Sequence, residues 1–477
     1  AGRVSSSSYS RALSCSPLLL ISLTCLHCEP AAPPCDGAAG AAAAGGPTVT
    51  QPVTGTSGAP ATAGSSGGSS SAAAGGGSAG AAGSAPSEPR GPTPAANGVN
   101  FPFPQNRQSS NCSYPNYRNS DVKAAFEKWK ADTVTADGAN GFLRVKRPKE
   151  PSLEPNSTVS EGIAYGMLIA VYMGDQSLFD GLWKYEQTCL GKNGLMDWYM
   201  LADGKERGPN GSGAASDADE DMAWALLMAD RQWGGKGSLG DSYSNIAKKQ
   251  IELVYNHEIQ DDKLLKPGDG WGGWGTVNPS YFAPSYYRAF AKASGNDKWN
   301  QVLQTSYEVL EKSVNSANGN LNNGLVPAWC SSDGVPNGGA FANGPASPTH
   351  YQYDSCRTPF RIGLDYCQNG EARAQSYVAK TSQFFAGIGA KQIVDGYNLD
   401  GTPRPEFQGG QSAAFVGPAT VSAMSSASFK PFLQEGYDNV ATMNLLVGGQ
   451  YYDESWTVLS LLMLSGNFLD YTALSPM

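Results

Sequence analysis

The sequence predicts an all-α protein built as a two-layer helical barrel, with six inner and six outer helices. Three observations carry that expectation. From Gly98 onward, aliphatic and aromatic residues recur at helical spacing, while strand signals are sparse. Several segments, GIAYGMLIAVYMG and SWTVLSLLMLSG among them, are apolar nearly all round and need cover on more than one side. The connections are long, uneven and often rich in Gly and Asn, as in SANGNLNNG and SSDGVPNGGAFANGP. Fully buried and half-buried helices together fit an inner and an outer layer better than a simple bundle.

Twelve helices follow in order. The first, 120–134, carries Val122, Phe126 and Trp129 at helical spacing. The second, 158–173, is uncharged after Glu161. Helix 176–187 is amphipathic, and 217–233 opens on acids before MAWALLMA. Helices 241–257, 279–294 and 296–315 follow, the middle one aromatic. Then come 354–367, 370–388, 411–425, 428–446 and 453–467, the last again apolar nearly all round.

Composition divides the 477 residues sharply. Residues 1–36 read as a targeting remnant. Arg3 and Arg11 precede SPLLLISLTCLHC, a run shorter than the roughly 20 apolar residues a membrane span needs. The alternative is a lipid anchor at Cys25 or Cys28, although neither follows a small residue. Residues 37–97, nearly all Gly, Ala, Ser, Pro and Thr, have little to bury and predict a disordered, flexible tether. Residues 98–477 form the domain with chemistry. Residues 1–98 hold three basic and three acidic residues, so the whole net charge of −9 sits on residues 99–477. Such a domain repels phosphates, which argues against nucleic acid and fits a neutral polymer.

The absences narrow the chemistry. His257 and His350 are far apart and lack ligand-like neighbours, which disfavours a histidine metal site and a Ser-His-Asp apparatus. The single Cys25-x-x-Cys28 pair makes no zinc site, and the nine cysteines do not reveal their pairing. Neither a phosphate loop nor a dinucleotide fingerprint is present. No metal or other cofactor is expected. Carboxylates and aromatics remain, which are the materials for hydrolysing glycosidic bonds.

Three acidic stretches stand out, each with a structural alternative. Thr158-Val-Ser-Glu161 spells a capping box, yet a glutamate at the head of an apolar helix also suits a general acid. Asp217, Asp219, Glu220 and Asp221 crowd one turn, either as helix-start acidity after a Ser216 cap or around a partner. A calcium loop does not fit, because Met222 and Met228 occupy its sixth and twelfth positions. Asp354 precedes Arg357 by three, either as an intrahelical ion pair or as a base that Arg357 keeps ionised. Trp271 and Trp274 sit among glycines in a loop, where exposed rings can stack on sugars.

Taken in order, VSEGIAYGMLIAV, GLMDWY, SDADEDMAWALLMADRQWG, LKPGDGWGG, NPSYFAPSYYR, GLVPAWC, YDSCRTPFR, IVDGY and LLMLSGNF resemble glycoside hydrolase family 8 over about residues 98–467. The resemblance implies an (α/α)6 barrel and inverting hydrolysis of β-1,4-linked polysaccharides. It makes Glu161 the acid, Asp354 the base and Asp217 the residue gripping the sugar at the cleavage point. Tyr281 and Arg357 position the water and the base, while Trp198, Trp271 and Tyr353 bind substrate. The motifs look most like the endo-β-1,4-glucanase (cellulase) branch. Xylanase, mixed-linkage β-glucanase and non-catalytic polysaccharide binding are the alternatives. Two departures stand out: Gly270, where such cellulases often carry a bulkier basic residue, and a long stretch at 331–350. The expected protein is a secreted or cell-surface monomer.

Overall fold

A computed structural model describes residues 98–149, 154–337, 349–407, 410–443 and 448–475. The expected targeting remnant and tether, 1–36 and 37–97, lie outside the described residues. Among the described residues there are twelve α-helices: α1 Asn119–Thr133, α2 Ser160–Met173, α3 Gln176–Glu186, α4 Ser216–Trp233, α5 Tyr243–Glu258, α6 Pro284–Ser294, α7 Trp299–Ser313, α8 Thr358–Asn369, α9 Ala372–Ile388, α10 Ala413–Ser422, α11 Lys430–Met443 and α12 Tyr451–Leu464. Among the described residues, strands are confined to three antiparallel pairs of two-residue strands on the loops.

The even-numbered helices close a ring. α2 packs on α4, α4 on α6, α6 on α8, α8 on α10, α10 on α12, and α12 returns to α2. Each odd-numbered helix backs one of them: α1 lies on α12, α3 on α2, α5 on α4, α7 on α6, α9 on α8 and α11 on α10. The all-round apolar segments therefore occupy the inner ring. Every residue of α2 except Glu161 and Met173 is buried. Its large apolar side chains contribute about 1.5–3 kcal/mol each by leaving water. Close approach to α3 needs Gly166, where a Cβ would lie 2.7 Å from Leu182 Cδ1 and 3.0 Å from Val145 Cγ2. Gly174, at φ +76°, ends the helix in the left-handed conformation that glycine adopts without a Cβ clash.

Several expected helix starts are corrected. α8 begins at Thr358, not 354, and α6 at Pro284, not 279. Pro359 and Pro284 sit in the first turns, where a missing N–H does no harm, so each marks a start rather than an interior. Asp354 and Arg357 thus precede α8, on the turns of 353–357. Neither proposed side-chain cap forms. Thr158 lies in a short strand opposite Met200, and its hydroxyl donates to the Val145 carbonyl (2.8 Å) while α2 begins uncapped. Ser216 is the first residue of α4 and donates to the Lys266 carbonyl at 2.6 Å.

Among the described residues, one disulfide joins Cys112 to Cys367 at the end of α8, across a sequence separation of 255. Closing so long a loop in the unfolded chain is worth about 5 kcal/mol in the chain-entropy account. Cys189, Cys330 and Cys356 are buried free thiols. No helix among the described residues is long and apolar enough to cross a membrane.

Candidate active site

The N-terminal ends of the inner helices converge. Glu161 heads α2, Asp217 heads α4 and Tyr451 heads α12. Tyr281 ends the short 3-10 turn before α6, and Arg357 is the residue before α8. Asp217 on α4 and Glu161 on α2 are bridged by Arg357: its Nη1 donates to Glu161 Oε2 and to Asp217 Oδ2, both at 2.6 Å. Tyr451 donates to the other Glu161 oxygen, Oε1, at 2.6 Å. The Arg357 guanidinium lies over the Tyr281 ring, 4.8 Å from its centroid. Its Nε donates to Ser280 Oγ at 3.1 Å, and the Ser280 hydroxyl donates to the Asp354 carbonyl at 2.5 Å.

The expected Asp354–Arg357 ion pair is therefore corrected. Arg357 faces Glu161 and Asp217, and the Asp354 carboxylate accepts from Gln352 Nε2 at 3.0 Å. The reason is the late start of α8: without helical spacing, the two side chains need not share a face.

Burial separates the carboxylates. The Glu161 side chain keeps 15% of its surface exposed, Asp217 only 3%. Asp217 Oδ1 is buried without a hydrogen-bond partner among the described residues. Burial pushes the Glu161 pKa up to about 7. Arg357 opposes that rise, Asp217 adds to it, the Tyr451 hydrogen bond opposes it, and Asp354 adds to it. A helix N-terminus also favours the charged form, so desolvation has to outweigh it. Burial, with the nearby Asp217 charge, holds Tyr281 well above the ordinary phenol range, so it stays a hydroxyl donor.

Asp219, Glu220 and Asp221 also meet polar side chains, although Asp219 Oδ2 and Glu220 Oε1 are buried without a hydrogen-bond partner among the described residues. Arg361 makes two bonds to Asp221, at 3.0 and 2.9 Å, and approaches Glu220 at 3.3 Å. Tyr287 donates to Glu220, and Gln250 to Asp219. The crowding of acids is thus answered mainly by two arginines one turn apart.

The aromatic candidates border this cluster. The Trp198 carbonyl accepts from the Ser160 N–H, directly before Glu161, and its indole donates to Asn210 O. Trp271 is half-buried against Trp329 (centroids 5.6 Å), and Trp329 meets Tyr281 at 6.2 Å. Trp274, its partner in the glycine-rich loop, donates to Asp261 and lies under Lys263. That fastening gives Trp274 a loop-anchoring role. Tyr353 donates to Asp395 at 3.0 Å and packs on Phe415 and Tyr452. Gly270 is exposed, and a Cβ there would meet nothing within 4 Å, so its departure opens space beside Trp271. Of the long stretch 331–350, residues 338–348 lie outside the described residues.

Sequence reasoning missed Tyr451, Trp329 and Gln352. Tyr451 lies 290 positions from Glu161. Its only signal was a tyrosine pair at the start of the last inner helix. Gln352 could have been suspected from its place two residues before Asp354.

The chain matches the model of glycosyl hydrolases family 8 over residues 101–466. It is 37% identical over 379 residues to Endoglucanase 2 of Ruminiclostridium josui, covering 78% of each chain. It is 38% identical over 350 residues to Endoglucanase A of Acetivibrio thermocellus, covering 73% of this chain and 69% of that one. Among solved structures, the apo β-1,3-1,4-glucanase of Paenibacillus sp. X4 superimposes with a TM-score of 0.69 at 29% identity, covering 77% of this chain and 99% of that one. The double ring, the motifs and these matches together place the chain in glycosyl hydrolases family 8, as an enzyme acting on glycans.

Proposed function

We propose that the chain is an endo-acting, inverting hydrolase of β-1,4-glucan. The observation that carries this reading is the Glu161–Arg357–Asp217 clamp, in which burial raises the pKa of a part-exposed Glu161 to about 7. A carboxyl group poised near neutral pH is suited to give a proton to a departing glycosidic oxygen. Asp217, with one buried oxygen unpartnered, grips the sugar at the cleavage point. Asp354 takes the proton from the attacking water, which Tyr281 positions, while Arg357 keeps the carboxylates in register. Trp198 and Trp271 hold the chain on either side, while Tyr353, first expected to bind substrate, steadies the turn that carries Asp354. The bond from the anomeric carbon to the leaving oxygen breaks as water adds on the opposite face. One water is consumed, and the new anomer is inverted.

The endoglucanase relatives support the glucan and the internal cleavage. The likeness to the Paenibacillus β-1,3-1,4-glucanase favours mixed-linkage glucan as a second substrate. Rates on carboxymethyl-cellulose, lichenan and xylan test the reading. Carboxymethyl-cellulose should be cleaved with a rapid fall in viscosity; turnover of xylan alone would overturn it. NMR of the first product should show the α anomer, and a β anomer would sink the inverting mechanism.

The Cys112–Cys367 disulfide supports an oxidising, extracellular location. In this reading residues 1–36 direct export or anchor the chain, 37–97 form the tether, and 98–477 act as a monomeric catalytic domain.

A further inference from the structure

Asp354 stands on a turn, so no helix fixes its carboxylate. Other contacts hold that turn. Within it, Gln352 braces Asp354 twice, accepting from its N–H at 2.9 Å and donating to its carboxylate at 3.0 Å. From one side, Ser280 holds the Asp354 carbonyl. From the other, Tyr351 and Tyr397 exchange backbone hydrogen bonds at 3.0 and 2.9 Å, an antiparallel bridge. Two residues along both segments, the Tyr353 hydroxyl donates to Asp395 Oδ2 at 3.0 Å. The bridge is thus continued by side chains.

Asp395 is 5% exposed, and its second oxygen is also engaged. Oδ1 accepts from the N–H of Ser412, the residue before inner helix α10, at 2.9 Å. One carboxylate therefore ties the turn that carries Asp354 to the start of an inner helix. The Tyr353 ring is wedged between Phe415 of α10 and Tyr452 of α12, and the Tyr452 hydroxyl donates to the Tyr353 carbonyl at 3.1 Å. Beside the holds on ring and carbonyl, the hydroxyl bond ties Tyr353, and with it the backbone leading into Asp354, to the Asp395 carboxylate.

We propose that Asp395 is a positioning residue for the reaction, acting through the Tyr353 hydroxyl and the Ser412 N–H to set where the turn holds Asp354. The inference rests on the reading of Asp354 as the base. A carboxylate is needed because both partners are donors. An asparagine offers one oxygen and one amide, so it satisfies one donor and opposes the other. Misplacing a reacting group by about 1 Å can lower turnover about 100-fold.

The test is a double-mutant cycle with D395A, Y353F and the pair, on full-length protein, reading kcat, KM and Tm with soluble β-1,4-glucan. D395A is expected to lower kcat about 10- to 100-fold with KM within about threefold. Adding Y353F to D395A should change kcat little further, because both remove the same bond. D395N should fall between wild type and D395A. A folded D395A with wild-type kcat would overturn the inference, as would full additivity with Y353F. If D395A does not fold, Y353F and D395N decide: wild-type kcat in both overturns it. Wild-type protein without turnover on this glucan breaks the underlying functional reading instead, and the cycle is then read on whichever β-glycan wild type cleaves.

Discussion

Arg357 and Arg361 are four residues apart, both buried, and each meets acids from the first turns of α4. Arg361 gives two nitrogens to the two oxygens of Asp221. Arg357 instead divides one nitrogen between carboxylates on different helices, and leaves Asp217 Oδ1 unpartnered. The lower pair is a closed fork, out of reach of solvent. The upper one is an open clamp beside a part-exposed glutamate. In the proposed mechanism the same ion chemistry serves architecture at one level and reaction one turn above. What separates them is access: the Glu161 side chain keeps 15% of its surface exposed, against 3% for Asp221 and none for Glu220.

The comparison breaks if the two levels respond alike to mutation. E161Q should lower kcat by about 10²- to 10⁴-fold, the usual contribution of a general acid, while Tm changes little at low pH, where Glu161 is itself neutral. Its pH dependence carries a sign. The folded pKa of Glu161, about 7, exceeds its ordinary 4.5, so the folded state holds the proton more tightly. That favourable contribution is complete below about 4.5 and is lost as pH rises through 7. Wild-type stability should therefore decline relative to E161Q across that window, by on the order of 3 kcal/mol. Activity should fall above pH 7 as the acid loses its proton. Parallel stability curves for the two proteins would remove the basis for a raised pKa.

R361M should do the reverse. Removing one partner from a buried ion pair costs about 3–5 kcal/mol, so chemical denaturation should show a large loss. Turnover per folded molecule should stay within a few-fold of wild type. A 100-fold loss of kcat at unchanged stability would make the lower level part of the reaction.

The smallest expected effect sharpens the same distinction in the glycine-rich loop. W271A should raise KM up to about tenfold, in line with about 0.5–1.5 kcal/mol for a stacked ring. W274A removes a ring fastened to Asp261 and Lys263, so it should loosen the loop with a smaller change in KM. Equal KM effects would erase the assigned difference.

Much of this was legible in sequence because the inner helices are buried on all sides. Segments such as ALLMA on α4 and LSLLML on α12 admit little besides an inner position, and the ring follows from their number. The candidate site residues were named from motifs, and of these the structure brings Glu161, Asp217, Tyr281 and Arg357 into contact. Pairing was not legible. Spacing assigned Arg357 to Asp354, yet Pro359 starts the helix too late for that. Spacing also gave Thr158 a capping role, while its hydroxyl was committed to Val145 across a loop. Side-chain partners are chosen in three dimensions. Tyr451, which meets Glu161 only when the ring closes, could not be found by neighbourhood in the chain.

The disulfide has a consequence for resistance to proteolysis. Cys112 lies near the start of the described domain, and Cys367 at the end of the helix that follows Arg357. Any single proteolytic cut between them leaves one cysteine on each fragment. The pieces remain covalently joined, so a nicked molecule can keep its clamp assembled, with Glu161 and Asp217 on one side of a cut in the 331–350 stretch and Arg357 on the other.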